Sequence, residues 1–182
     1  MSRPLVAVVG RPNVGKSTLF NRLAGRRISI VQDTPGVTRD RVYADVEWRG
    51  GYITFVDTGG LDPDNEDLMA ALMRRQAEFA MDAADVIIFM VDAKSGMLRD
   101  DQEVADQLRR MGKPVVLAVN KADNKEREDA VYDFYSLGLG QPYAISAEHG
   151  LGIGELLDAV YEHLPDLGDE QQDESLRIAL VG

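Results

Sequence analysis

The chain has no cysteine and no apolar stretch close to the ~20 residues needed to span a bilayer. The first absence excludes disulfides and the second a transmembrane helix, and no signal peptide precedes the first apolar run at Leu5. Together they point to a cytoplasmic location and no membrane partner. Positive charge is also scarce, since 20 Lys and Arg against 31 Asp and Glu give a formal net charge of −11. Such a surface repels phosphate backbones and forgoes the counterion release behind nonspecific nucleic-acid binding, so this segment alone is a poor RNA binder. What is present suffices for one core: 182 residues, 45% of them hydrophobic, fall in the ordinary single-domain range.

The most informative segment is Gly10-Arg11-Pro12-Asn13-Val14-Gly15-Lys16-Ser17, which fits G-x-x-x-x-G-K-[ST]. Its setting is the one in which that pattern has a physical meaning. Leu5-Val6-Ala7-Val8-Val9 reads as a buried strand, and Thr18-Leu19-Phe20-Asn21-Arg22-Leu23 resumes with helical spacing. Gly10 and Gly15 allow successive amides to form a nest facing phosphates, and Lys16 supplies a point charge. Ser17 offers its hydroxyl to Mg²⁺ at the positive end of the following helix. This motif by itself leaves ATPases, small-molecule kinases and GTPases open.

The base-reading segment decides among them. Pro114-Val115-Val116-Leu117-Ala118-Val119 reads as another buried strand, which delivers Asn120-Lys121-Ala122-Asp123 to the edge where open parallel sheets bind ligands. A carboxylate there accepts from both N1–H and the 2-amino group of guanine, an arrangement adenine lacks, so Asp123 is the candidate guanine reader. The Asn120 amide and the Lys121 stem would hold the loop and cover the base. The tetrapeptide argues against a small-molecule kinase. Between the two motifs, Tyr52-Ile53-Thr54-Phe55-Val56 leads into Asp57-Thr58-Gly59-Gly60, where Asp57 suits a water ligand of Mg²⁺ and Gly60 an amide contact to a γ-phosphate. After the last strand, backbone donors of Ser146-Ala147-Glu148 could meet the guanine oxygen.

Strands are expected at residues 4–9, 42–48, 52–57, 86–92, 114–119 and 142–146, and helices at 16–24, 66–83, 100–111, 125–136 and 153–163. The expected fold class is α/β: a P-loop NTPase G domain with a six-stranded, mostly parallel sheet and helices on both faces. Gly50-Gly51 signals a hairpin, making the second and third strands antiparallel. Leu108, Leu156, Leu157 and Val160 are expected in the core, as are Met69, Leu72, Met73 and Met81. Arg11, Lys16, Arg22, Arg26, Arg27, Arg39 and Arg41 crowd the first quarter, which would make the nucleotide site locally positive, although surface arginines are more often merely solvated.

The ordered set G-R-P-N-V-G-K-S-T-L-F-N-R-L, D-T-P-G-V-T-R-D, D-T-G-G, N-K-A-D and I-S-A-E-H-G resembles the translation-factor-related GTPases, and most closely the amino-terminal G domain of the EngA/Der family. The resemblance covers essentially the whole chain. It implies GTP binding and hydrolysis to GDP in a molecular switch. It also implies a second G domain and a carboxy-terminal KH-like domain in the full-length protein, with large ribosomal subunit assembly, and hence the subunit or its rRNA, as the setting. It singles out Thr38 over Thr34 as the residue placing its hydroxyl on Mg²⁺ and its amide on the γ-phosphate. Residues 25–41 and Gly59 to about Met73 are the two expected switches.

No glutamine follows the D-x-x-G. Leu61 stands there and can neither donate nor accept a hydrogen bond, so intrinsic hydrolysis is expected to be slow without another means of organising the attacking water. Asn13 resembles the potassium-coordinating asparagine of related GTPases, although it could equally stabilise the loop turn. Lys16, Thr38 and Asn13 are thus the catalytic candidates. No general base presents itself beyond Asp62, Asp64 and Glu66. A nucleotide-dependent interaction module with negligible hydrolysis is the alternative reading.

An internal repeat bears on domain organisation. Leu5-Val6-Ala7-Val8-Val9-Gly10 reappears as Arg177-Ile178-Ala179-Leu180-Val181-Gly182. Residues 1–165 are expected to form the GTP-binding domain, the acidic stretch 166–175 a linker, and 176–182 the first strand of a truncated second G domain.

Overall fold

The computed structural model describes residues 3–24, 42–58 and 66–165. Outside them lie Arg26, Arg27, Thr34, Thr38, Arg39 and Arg41 of the first expected switch, Gly60, Leu61, Asp62 and Asp64 of the second, and the linker with the repeated strand.

Six strands form one sheet: β1 (Leu5–Gly10), β2 (Val42–Trp48), β3 (Gly51–Asp57), β4 (Val86–Asp92), β5 (Val115–Asn120) and β6 (Pro142–Ala144). Their order is β2-β3-β1-β4-β5-β6, with β2 antiparallel to β3 and every other pair parallel. Helices α1 (Lys16–Ala24), α2 (Glu66–Ala83), α3 (Arg99–Met111), α4 (Lys125–Ala130) and α5 (Ile153–Glu162) flank it, with a 3₁₀ helix at Val131–Leu137. The expected fold class is borne out.

Strand alternation sorts the core onto two faces. Val6 and Val8 of β1 join Ile88, Met90, Val116 and Ala118 on one face, where Leu19, Phe20 and Leu23 of α1 and Ile153, Leu156, Leu157 and Val160 of α5 cover them. Ala7 and Val9 face the other way with Ile87, Phe89, Val91, Leu117 and Val119, beneath Met73 and Ala80 of α2 and Val104, Ala105 and Leu108 of α3. Both faces being covered, the central parallel strands β1, β4 and β5 read as unbroken apolar runs.

Four local expectations need correction. The hairpin turn is Arg49-Gly50, because Trp48 pairs with Gly51; both turn residues have positive φ, 52° and 81°, the primed geometry that matches strand twist. The helix expected over 125–136 changes type at Val131. Buried Val131, Phe134 and Leu137 recur every third residue, a spacing that lines up on a 3₁₀ helix and drifts on an α-helix. The last strand stops at Ala144, after which Ile145 is held by Val119 and Ala122 and Ser146 pairs with Leu151. Met81 is only half-buried, and nothing is described of the Met69 and Leu72 side chains.

A parallel arrangement brings the carboxyl ends of β1, β3, β4, β5 and β6 to one edge of the sheet. Each ends in a polar or glycine segment: Gly10 to Ser17, Asp57-Thr58, Asp92, Asn120 to Asp123, and Ser146 to Glu148. The candidate chemistry therefore collects there.

Candidate functional site

The loop from Gly10 to Lys16 is wedged between β4 and β5. A Cβ on Gly10 would sit 2.6 Å from the Met90 carbonyl oxygen, and one on Gly15, whose φ is +107°, would sit 2.1 Å from Asn120 Nδ2. Both glycines are thus demanded by packing of the loop against its neighbours. Asn13 also has positive φ, 68°, which asparagine tolerates better than most residues. Pro12 and Val14 complete the turn, the Val14 amide donating to the Arg11 carbonyl at 3.4 Å. Lys16 opens α1 with its ammonium buried, donating to the Gly10 carbonyl and to Gln76 Oε1 at 3.4 Å. Ser17 and Thr18 stand exposed on the first turn.

Arg11 departs from the expected positive cluster. Its guanidinium turns to α3, donating to Asp101 Oδ1 at 2.8 Å and Oδ2 at 3.3 Å, and to Ser95 Oγ at 3.3 Å. Asp101 is fully buried and also accepts from the Leu98 amide at 3.0 Å, capping α3. Only the Arg11 backbone is left for a phosphate. Arg22 is likewise committed, to the carbonyls of Ala147 and Glu148 at 2.5 and 2.6 Å.

Asp57 is 6% exposed at the tip of β3, in register with Val8 of β1. Thr58 beside it donates its hydroxyl to the Val8 carbonyl at 2.7 Å. From α2, Gln76 reaches under the loop: its Oε1 accepts from the Gly10 amide at 3.3 Å and lies 3.2 Å from Thr58 Oγ1. Its Nε2 is buried with no acceptor among the described residues. The spacing of Met73, Gln76, Ala77 and Ala80 along one helical face could have revealed Gln76 as a polar residue inside the core.

Asn120 ties the two motifs together. Its Nδ2 donates to the Val14 carbonyl at 2.7 Å, and its Oδ1 accepts from the Ala147 amide at 2.9 Å. Lys121, with φ 65°, stretches back over the site so that its ammonium meets the Asn13 carbonyl at 2.9 Å and Asp92 Oδ2 at 2.8 Å. The stem thereby forms a strap anchored at both ends. Asp123 points one carboxylate oxygen at Arg127 Nη1, 2.9 Å away, and the other at His149 Nε2, 3.7 Å away. Asn120, Lys121, Asp123 and Arg127 border a cavity of about 440 Å³ also lined by Gly15, Thr18, Ser146 and Glu148, a size suited to a small-molecule ligand. Ser146 is buried and its Oγ accepts from the His149 amide at 3.3 Å, whereas the Glu148 side chain is exposed.

Asp92, Arg127 and His149 escaped the sequence reading, although Asp92 occupies the same strand-end position as Asp57 and Asn120. Burial acts to raise the Asp92 pKa. The hydrogen bond and charge of Lys121, with the Lys94 and Ser95 amides, outweigh it and hold the carboxyl below its ordinary value. A carboxyl more acidic in the folded chain contributes stability above its ordinary pKa of about 3.9 and loses it as pH falls through the lower folded value. Asp92→Asn is therefore expected to cost about 1.5 kcal/mol at pH 7 and to flatten the loss of stability below about pH 4. Urea titrations at several pH values test this, and parallel profiles for the two proteins would count against it.

The 50S ribosome-binding GTPase family model matches residues 5–121, which contain the phosphate loop, Asp57 and the start of the base motif. The chain belongs to that family. Across its whole length it is 56% identical to GTPase Der of Clostridium novyi and 58% to GTPase Der of Clostridium perfringens, spanning 42% of each relative. Among solved structures it is similar to Era of Aquifex aeolicus bound to GDP and AlF4⁻, with TM-score 0.71 and 32% identity over 91% of this chain and 58% of that one. Era in complex with MgGDPNP and a segment of 16S ribosomal RNA matches at TM-score 0.68 and 34% identity, again over 91% and 58%. The resemblance to EngA/Der GTPases and the GTPase class it implies are both borne out. Among the described residues of this family member, no helix is long and apolar enough to cross a membrane.

Proposed function

We propose that this domain is a GTP-driven switch that reads guanine through Asp123 and binds phosphates through the amides of Gly10 to Thr18 and the Lys16 ammonium. The observation that carries this reading is the double hydrogen bond of Asn120 to the Val14 carbonyl and the Ala147 amide, which fixes base site and phosphate loop as one unit. Amides of Ser146 to Glu148 would take the guanine oxygen. Lys16 and the helix start supply positive charge where phosphate charge develops during hydrolysis.

The donor set suits Mg²⁺: the Ser17 hydroxyl is a hard oxygen ligand, the Asp57 carboxylate can hold one of the ion's water ligands, and Asp57 is held in place by register with β1. Bound there, the ion would neutralise phosphate charge. Thr38 and Gly60 would add the γ-phosphate contacts that are lost on hydrolysis, releasing both switches. Asn13 stands exposed at the loop crest, where its amide oxygen suits a potassium ion offsetting charge in the transition state.

The whole protein would carry a second G domain, as the repeated strand motif suggests, and a KH-like domain, and would act on the large ribosomal subunit. The family's description supports the ribosomal setting. The net charge of −11 argues that RNA contact falls to other domains.

Phosphate release from GTP with Mg²⁺, under single turnover, tests the proposal. Saturable GTP hydrolysis with GDP binding at least about a hundredfold tighter than ADP is expected, since a site built to hydrogen-bond a substrate strongly rejects an analogue lacking those groups. Equal affinity for the two diphosphates would exclude the guanine assignment.

A further inference from the structure

Arg22 lies on α1, the helix that begins at the phosphate loop, yet its guanidinium leaves that site and reaches the loop after β6. Nε donates to the Ala147 carbonyl at 2.5 Å and Nη2 to the Glu148 carbonyl at 2.6 Å. Two successive carbonyls are thus drawn to one side by a rigid fork. In a trans peptide the C=O and the following N–H point in opposite directions, and among the described residues no peptide is cis. Fixing the Ala147 carbonyl on Arg22 therefore turns the Glu148 N–H away from α1, and Glu148 lines the base cavity.

The other amides of this loop have partners. Ser146 N–H donates to the Leu151 carbonyl at 2.9 Å, Ala147 N–H to Asn120 Oδ1 at 2.9 Å, and His149 N–H to Ser146 Oγ at 3.3 Å. The loop is also shaped around the arginine: a Cβ on Gly150, φ +72°, would come within 2.7 Å of Arg22 Nη1.

We propose that Arg22 is a positioning residue for base specificity, presenting the Glu148 amide to the 6-oxo group of a guanine nucleotide. This rests on the proposal that the 146–148 loop reads the guanine oxygen. Because Arg22 shares a helix with Lys16 and Ser17, the same side chain joins oxygen recognition to the phosphate end of the site.

The test compares GDP with 6-thioguanosine diphosphate, which keeps N1–H and the 2-amino group for Asp123 but replaces the oxygen acceptor by a weakly accepting sulfur. The domain is expected to favour GDP by about five- to tenfold, the size of one neutral hydrogen bond. Arg22→Gln is expected to erase most of that preference by weakening GDP alone, and Arg22→Lys, which can still meet one carbonyl, to retain part of it. Melting temperatures of all three proteins identify any variant that fails to fold, and the lysine variant carries the test if glutamine does not. A folded variant that keeps the full preference overturns the role of Arg22, as does an equal loss of both nucleotides, the mark of general support to the loop. Absence of any preference in the unsubstituted domain overturns instead the oxygen reading beneath it.

Discussion

Asp123→Asn is expected to weaken GDP binding by at least about a hundredfold and to strengthen binding of xanthosine diphosphate. The carboxylate offers acceptors to two guanine donors at once, each charge-assisted bond contributing about 1.5–3 kcal/mol, and an amide can serve only one of them. Its new N–H₂ would face the 2-amino group, donor against donor. In xanthine that group is an oxygen, and the clash becomes a hydrogen bond. Arg127 strengthens the expectation, because its Nη1 lies 2.9 Å from Asp123 Oδ1 and orients the carboxylate. An oxygen with two lone pairs can serve Arg127 and the base together. Loss of the charge leaves the guanidinium without its ion pair as well, so Arg127→Ala is the control that separates orientation from recognition. Unchanged GDP affinity for Asp123→Asn in a calorimetric titration would falsify the guanine assignment.

The sheet was legible in the sequence because its three central parallel strands are covered on both faces. Leu5–Gly10, Val86–Asp92 and Val115–Asn120 then have no polar alternation to confuse with helix, and each run ends at a glycine or a polar residue. The motifs were legible for a related reason: phosphate and guanine recognition require particular residue types at fixed spacing on strand ends. What escaped was contact between distant segments. Arg11 sits inside the phosphate motif, yet its partner Asp101 is 90 residues away on α3, and nothing local announces that a loop arginine will be buried. Arg22 and its carbonyls are 125 and 126 residues apart. The turn at Arg49-Gly50 missed by one residue because Gly50 and Gly51 both permit positive φ, and only the register of Trp48 with Gly51 decides between them. At Val131 the helical reading met a period of three, too short a run to distinguish from 3.6 without knowing which side is buried.

Hydrolysis is expected to be about a hundredfold to a thousandfold faster in potassium than in sodium, and to lose that difference when the Asn13 side chain is removed. Leu61, following the D-x-x-G, cannot orient water, so the transition state depends more heavily on the remaining sources of positive charge. One such contribution is comparable to a single oxyanion-hole donor, about 2.7–4 kcal/mol. Sodium, with its smaller radius, fits a cage of amide, carbonyl and phosphate oxygens poorly. The Asn13 carbonyl is already held by Lys121 Nζ at 2.9 Å, so truncating the side chain leaves the strap over the site in place. The choice of variant matters, because Asn13 has φ 68° and alanine there would strain the loop as well as remove the amide. Asn13→Gly adopts that backbone freely and isolates the side chain. If Asn13 served only to stabilise the turn, the glycine variant would hydrolyse GTP like the unsubstituted domain in either salt. A cation acting on the transition state predicts the opposite pattern: GDP affinity within a few-fold of the original, and a single-turnover rate in potassium that falls to the sodium value.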